Sequence, residues 1–249
     1  MARGLKGTLG LALLGLSVVF VLFIILAGVT EDQPLDRTYF LEADTSGIQG
    51  AKDTTRWTFL YFCDQNNENC GDSRPAPAFG KAWAPNARGA PERLVGSHGG
   101  DTTDAYYFFM WRFGWVWFIL ALASSAVAFF SGFLACCGRV GAFISSTVSF
   151  VALAFWTLAT VFMTVVFVKA KDAFQDEGRD AKLGPYGFGF AWGGWTAVFL
   201  ATVLFCLNIR KTDKERYAAH PPRYRGGTAD AGRRFPFFGR RSAVKGGYA

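Results

Sequence analysis

The chain has 249 residues, 51% of them hydrophobic and 17% aromatic, with 26 Phe and a formal net charge of +7. The apolar residues gather into long uncharged runs, and that pattern excludes an ordinary water-soluble globule. The two histidines and the scattered carboxylates show no metal-ligand or nucleophile spacing, so neither a metal centre nor a catalytic constellation is expected.

Four runs carry no charge: residues 8–30, 113–138, 140–168 and 183–209. About 20 apolar residues cross a ~30 Å hydrocarbon core, and backbone in lipid must bond to itself, so each run reads as a helix. The first follows Arg3 and Lys6, as a signal peptide would. Its uncharged stretch exceeds the ~7–15 residues typical of such peptides, and no small-x-small site follows, so it reads as a retained span. On its heels comes a polar segment too long for a structureless loop. Within it "PLDRTYFLEA" (34–43) and "RWTFLYFC" (56–63) read as strands, rich in aromatic and β-branched residues. Period two puts Leu35, Tyr39 and Leu41 on one face of the first strand, and Trp57, Phe59, Tyr61 and Cys63 on one face of the second. A sheet of two or three such strands needs a staple or a neighbour.

The next stretch, "YYFFMWRFGWVWF" (106–118), reads as an interfacial anchor in which Arg112 reaches toward lipid head groups. On the third span Ser145, Ser149, Ala152, Trp156 and Ala159 form a seam of mostly small side chains at 4-3-4-3 spacing. Thr157, Thr160 and Thr164 mark another face, with hydroxyls expected on their own helix carbonyls. In the fourth run Gly184, Pro185, Gly187 and Gly189 place the expected helix start near Phe190. The pair Gly189 and Gly193 has the spacing that lets backbones approach, within the bundle or between copies. No Asp, Glu, Lys, Arg or His falls inside the hydrocarbon region, which argues against a channel, pump or proton-coupled transporter.

Positive charge sets the orientation. The N-terminus, the turn at Arg139 and the tail from Arg210 together carry +11, whereas residues 31–104 carry −5. Both termini are therefore expected in the cytoplasm. The expected organisation is an N-terminus at 1–7, spans at 8–30, 111–137, 142–168 and 189–209, an outer domain at 31–110, a turn at 138–141, a second outer loop at 169–188 and a basic cytoplasmic tail at 210–249. Cys63 and Cys70 fall on the oxidising side and read as a disulfide worth roughly 2–3 kcal/mol by loop entropy. Cys136, Cys137 and Cys206 fall on the reducing side, where Cys136 and Cys137 beside Arg139 are either palmitoylation sites or idle thiols. In the tail, Arg233, Arg234, Arg240 and Arg241, interleaved with Phe235, Phe237 and Phe238, suit contact with an anionic inner leaflet, at ~1 kcal/mol per charge, rather than nucleic acid.

The fold class expected is an all-α transmembrane four-helix bundle with a small extracellular antiparallel β-sheet. Four spans, a long first outer loop, and a Trp followed by two cysteines resemble the claudin-like tetraspan plan. Leu60, Tyr61 and Phe62 stand before Cys63 where the claudin signature has Gly-Leu-Trp. More specifically, "YFLEADTSGI" (39–48), "RWTFLYFC" (56–63), Cys70 and "RPAPAF" (74–79) resemble the fungal Sur-seven/PalI family of plasma-membrane proteins, over the chain up to about Arg210. That resemblance implies a non-enzymatic, cofactor-free organiser of an eisosome-associated membrane compartment, linked to cell-wall organisation, endocytosis and sphingolipid balance. Its expected partners are membrane lipids (sphingolipid, sterol or phosphoinositide), further copies of the chain and eisosome proteins. Two other readings follow the same resemblance: an accessory subunit of a cell-wall synthase or transporter, and a PalI-type component of ambient-pH sensing.

Overall fold

The computed structural model describes residues 2–30, 32–134 and 139–219. Cys136, Cys137 and the tail arginines Arg233, Arg234, Arg240 and Arg241 lie outside the described residues. In chain order the elements are helix α1 (Ala2–Ile25), strands β1 (Leu41–Asp44), β2 (Thr54–Trp57) and β3 (Phe62–Cys63), and a single helical turn α2 (His98–Asp101). Helices α3 (Ala105–Leu134) and α4 (Arg139–Asp176) follow, then strand β4 (Ala181–Leu183) and helix α5 (Pro185–Ala219).

Four stretches are long and apolar enough to cross a membrane: Gly7–Ile25, Ala105–Phe133, Phe143–Asp176 and Pro185–Leu207. Helix α3 packs most extensively on α4 and α1 on α5, while α4–α5 and α1–α3 contacts close the four into a ring. The small-residue seam expected on α4 is buried at Ser145, Ser149, Ala152, Trp156 and Ala159, and continues at the same spacing through Met163, Val166, Ala170 and Ala173. A 3.5-residue repeat of this kind keeps one stripe facing the neighbouring helices along the whole length. Few polar groups interrupt that packing; the Ser149 hydroxyl is buried in the seam without a partner among the described residues, and others bond across the bundle. Ser145 donates to the carbonyl of Ser131 at 2.6 Å, and the Trp156 indole donates to Ser125 Oγ at 2.9 Å, both joining α4 to α3. The Trp195 indole of α5 donates to Thr157 of α4 at 2.8 Å. The hydroxyls of Thr157, Thr160 and Thr164 donate to the carbonyls of Leu153, Trp156 and Thr160, within their own helix.

The fourth helix begins at Pro185 rather than near Phe190. Proline suits the first position of a helix, since its missing N–H has no intrahelical partner there and its φ is already helical. The neighbouring glycines serve close approach. A Cβ on Gly184 or Gly187 would lie 1.8 or 2.3 Å from the Tyr39 carbonyl oxygen, so the lead into β1 passes against the start of α5. Further along, a Cβ on Gly194 would lie 2.3 Å from the Trp156 ring, and one on Gly193 would lie 3.0 Å from Phe20. Gly189 is exposed and has no described atom within 4 Å of such a Cβ. Packing inside the chain therefore uses Gly193 and Gly194, and Gly189 takes no part in it.

The sheet is antiparallel, in the order β3-β2-β1-β4. Leu41 sits opposite Trp57 on one side and Leu183 on the other, and Glu42 likewise sits between Arg56 and Lys182. Two strand expectations change. Residues Leu35–Arg37 form a 3-10 turn after Pro34, so the first strand starts only at Leu41. The run 56–63 is a hairpin instead of one strand: Thr58 and Tyr61 close a tight turn, with Thr58 N–H donating to Tyr61 O at 3.0 Å and Tyr61 N–H to Thr58 Oγ1 at 3.1 Å. Single-strand alternation of Trp57, Phe59, Tyr61 and Cys63 is thus lost, although Trp57, Phe59 and Cys63 are all fully buried. The fourth strand comes from the second loop, where a connecting segment was expected.

The glycines make a paired test of this packing. Gly194→Leu should lower stability by roughly 1–3 kcal/mol through overpacking against Trp156. Gly189→Leu should leave the melting temperature of the detergent-purified protein unchanged, as read by scanning fluorimetry.

Candidate functional site

The candidate site is the interlock between the sheet and the helix ends beneath it. Trp57 is fully buried at its centre. Its ring lies 5.8 Å from Phe79, 5.6 Å from Phe174 of α4 and 6.5 Å from Trp83, and its indole donates to the Phe79 carbonyl at 3.3 Å. Phe79 in turn meets Trp111 of α3 edge-on at 4.6 Å and Phe167 of α4 at a tilt at 5.2 Å. Truncating a buried Trp or Phe at such a site costs roughly 3–5 kcal/mol. Helix α4 reaches Asp176, beyond its uncharged run, because Ala170, Ala173 and Phe174 are buried beneath the sheet.

The stretch 106–118 divides its labour. Tyr107, Trp111 and Phe118 are buried in this interlock, while Tyr106, Phe109 and Phe113 are exposed. Only the second set fits the interfacial anchor; the first is core. The helical period explains the split, since positions 107, 111 and 118 share a face.

The disulfide pins the far edge of the sheet. Cys63 of β3 is bonded to Cys70. It rests on the end of α1: Gly28 has φ +87°, and a Cβ there would lie 3.2 Å from Cys63 Sγ and 3.3 Å from Cys70 Sγ. Tyr61, partly exposed, borders the same contact at 3.2 Å.

A row of charges crosses the sheet. Glu42 on β1 is paired with Arg56 on β2, and Lys182 on β4 reaches it at 2.7 Å. Glu42 and Arg56 are each only 7% exposed. The Arg56 guanidinium also lies 4.4 Å over the Tyr39 ring and donates to the Asp36 carbonyl at 3.2 Å. Burial pushes the Glu42 carboxyl up, but hydrogen bonds from Lys182 and Arg56 outweigh it and hold the group below its ordinary range. Neither partner was singled out by sequence reasoning; the only available signal was charge at positions that alternate with the apolar residues of each strand. Arg179, just before β4, adds a clamp by donating to the carbonyls of Ser46 and Gly89, both at 2.9 Å. These contacts hold the two loops together as one body. Among the described residues no group of His, Cys, Asp and Glu is arranged to hold a metal ion.

Four membrane helices closed in a ring, capped by a disulfide-stapled sheet that both loops build, define a multi-pass membrane protein of the tetraspan class. The model of the SUR7/PalI family matches residues 7–204. The chain belongs to that family. It is 30% identical over 218 residues to Protein SUR7 of Saccharomyces cerevisiae, covering 84% of this chain and 69% of that protein. It is 34% identical over 186 residues to the SUR7 family protein FMP45 of the same yeast, covering 73% of this chain and 58% of that one, so it spans little more than half of FMP45. A plasma membrane protein of S. cerevisiae, YNL194C, is 32% identical over 207 residues, covering 80% of this chain and 66% of that protein.

The charge row predicts a specific acid sensitivity. Because the folded-state Glu42 is more acidic than the unfolded one, its stabilisation is complete above the unfolded value, about 4.3, and is lost as pH falls through the lower folded value. Glu42→Gln should therefore destabilise the protein at neutral pH by about 3–5 kcal/mol, since Arg56 loses a buried partner. The fall in melting temperature of the wild type below pH ~4 should be shallower in the variant.

Proposed function

We propose that this protein is a non-enzymatic structural tetraspan that organises a microdomain of the fungal plasma membrane, the eisosome-associated compartment, with consequences for cell-wall organisation and endocytosis. The observation that carries the reading is the family match across residues 7–204, together with a relative described as a plasma membrane protein. The rigid tie between sheet and bundle supports it, because a stable lateral assembly needs an extramembrane surface that holds a fixed orientation on its spans.

In this reading both termini are cytoplasmic and the sheet is extracellular. The Cys63–Cys70 disulfide supports that orientation, since such bonds persist in oxidising compartments. The charge distribution agrees, with basic ends and an acidic segment between the first two spans. The tail arginines Arg233, Arg234, Arg240 and Arg241 hold the chain against the anionic inner leaflet, and palmitate on Cys136 or Cys137 favours ordered lipid. Lateral assembly proceeds through further copies and through membrane lipids.

Fluorescence imaging with photobleaching tests the reading directly. A tagged copy in a fungal cell should form static surface patches that recover little after bleaching. Diffuse, rapidly recovering signal would overturn the microdomain role and favour an accessory subunit or an ambient-pH sensor. Cys63→Ser should be held in the secretory pathway, and its normal delivery to the surface would remove the disulfide from the argument.

A further inference from the structure

A pocket of about 250 Å³ lies where the segment between the first two spans meets α3. Three cations line it, Arg74, Lys81 and Arg112, and its apolar floor comes from the segment Pro75–Ala78. No carboxylate among the described residues lines it. Arg74 has a loose ion pair at 3.8 Å with Asp72, whose side chain is 89% exposed.

The pocket wall is shaped by backbone that few residues tolerate. Gly99 and Gly100 have φ of +66° and +82°. A Cβ on Gly99 would lie 2.7 Å from the Ala78 Cβ, and the Lys81 ammonium lies 3.2 Å from the Cβ position of Gly100. The two glycines let the α2 turn close on the 75–81 segment and let Lys81 fold over it. Opposite, the Arg112 guanidinium lies 3.8 Å over the Phe108 ring. A guanidinium held over a ring face makes no hydrogen bond to it, so its N–H groups remain available for a forked contact with an oxyanion.

The depth of the pocket decides the ligand. The uncharged run of α3 starts at Phe113, so Arg112 stands at its edge, next to Trp111 beneath the sheet. Its neighbours Phe109 and Phe113 are 48% and 53% exposed, as lipid-facing side chains of a spanning helix are. The three cations thus converge at the boundary between hydrocarbon and water. We propose that this pocket binds the phosphate of a phospholipid head group in the leaflet on the sheet side, with the acyl chains running down α3 past Phe109 and Phe113. A sterol offers no charge to such a site, and a soluble anion gains nothing from the two exposed rings. The proposal does not depend on microdomain formation.

The test is native mass spectrometry of the full chain in detergent, with dioleoylphosphatidylglycerol and the uncharged dioleoylglycerol as probes. Because a basic tail also attracts anionic lipid, the comparison is between variants of the complete protein. R74Q/K81Q/R112Q should lower the retention of phosphatidylglycerol relative to dioleoylglycerol by at least about tenfold, as expected for three interfacial charges. The control R37Q/R88Q/R93Q removes the same number of charges from elsewhere on the sheet domain and should retain the wild-type ratio. Arg112→Lys keeps the charge without the fork and should fall between the two. Equal retention by the pocket variant and the wild type would overturn the proposal, and so would an equal loss in the control. Inorganic phosphate that raises the melting temperature as much as the lipid does would reassign the pocket to a soluble anion.

Discussion

The sheet has no core of its own. Its strands run four, four, two and three residues, too short to bury an apolar layer against themselves. Everything above the membrane therefore depends on one borrowed core, the aromatic cluster around Trp57 that α3 and α4 supply by extending past the hydrocarbon. The helices are long because the sheet needs their ends. The disulfide, the Gly28 contact and the Arg179 clamp then act at the margins of that cluster, where water would otherwise enter.

Within the bundle the same economy holds for polar groups. Lipid offers no partners, so the hydroxyls other than that of Ser149 turn back on their own helix or join a neighbour. Two indoles and a hydroxyl make such joins: Trp156 reaches Ser125, Trp195 reaches Thr157 and Ser145 reaches the Ser131 carbonyl. These bonds run in directions that dispersion alone would not fix, and they set the rotation of α4 relative to α3 and α5. The small residues of the α4 seam and Gly194 of α5 leave the room in which those large rings sit.

Much of this was legible in the residues. Uncharged length gave the four spans, and the 4-3 spacing of Ser145, Ser149, Ala152, Trp156 and Ala159 gave the buried face of α4. The cysteine pair and the buried Trp57 also followed from local pattern. What local pattern misjudged was the role of glycine and proline near the start of α5. Read along the chain they loosen a helix; in space Gly184 and Gly187 make way for the Tyr39 carbonyl, some 145 residues earlier in the chain. The hairpin inside 56–63 was hidden for a related reason, since "TFLY" has strand composition and turns only because Thr58 and Tyr61 bond to each other. Strand β4 was invisible because three residues carry too little periodicity to announce a strand, and its register is set by Leu41 and Glu42 on the far side of two spans.

That last pairing has a consequence for how the protein is made. β1 ends at Asp44 and β4 begins at Ala181, so the two strands leave the ribosome on the order of ten seconds apart at usual elongation rates. During that interval the hairpin can fold and the disulfide can close, but Glu42 still lacks Lys182 and one edge of β1 remains open. The domain is completed only when the third span has been inserted and the chain has returned to the sheet side. Correct insertion of the later spans is thereby reported at the surface of the domain formed first, and an unfinished chain exposes an unpaired strand edge, open to pairing with another chain.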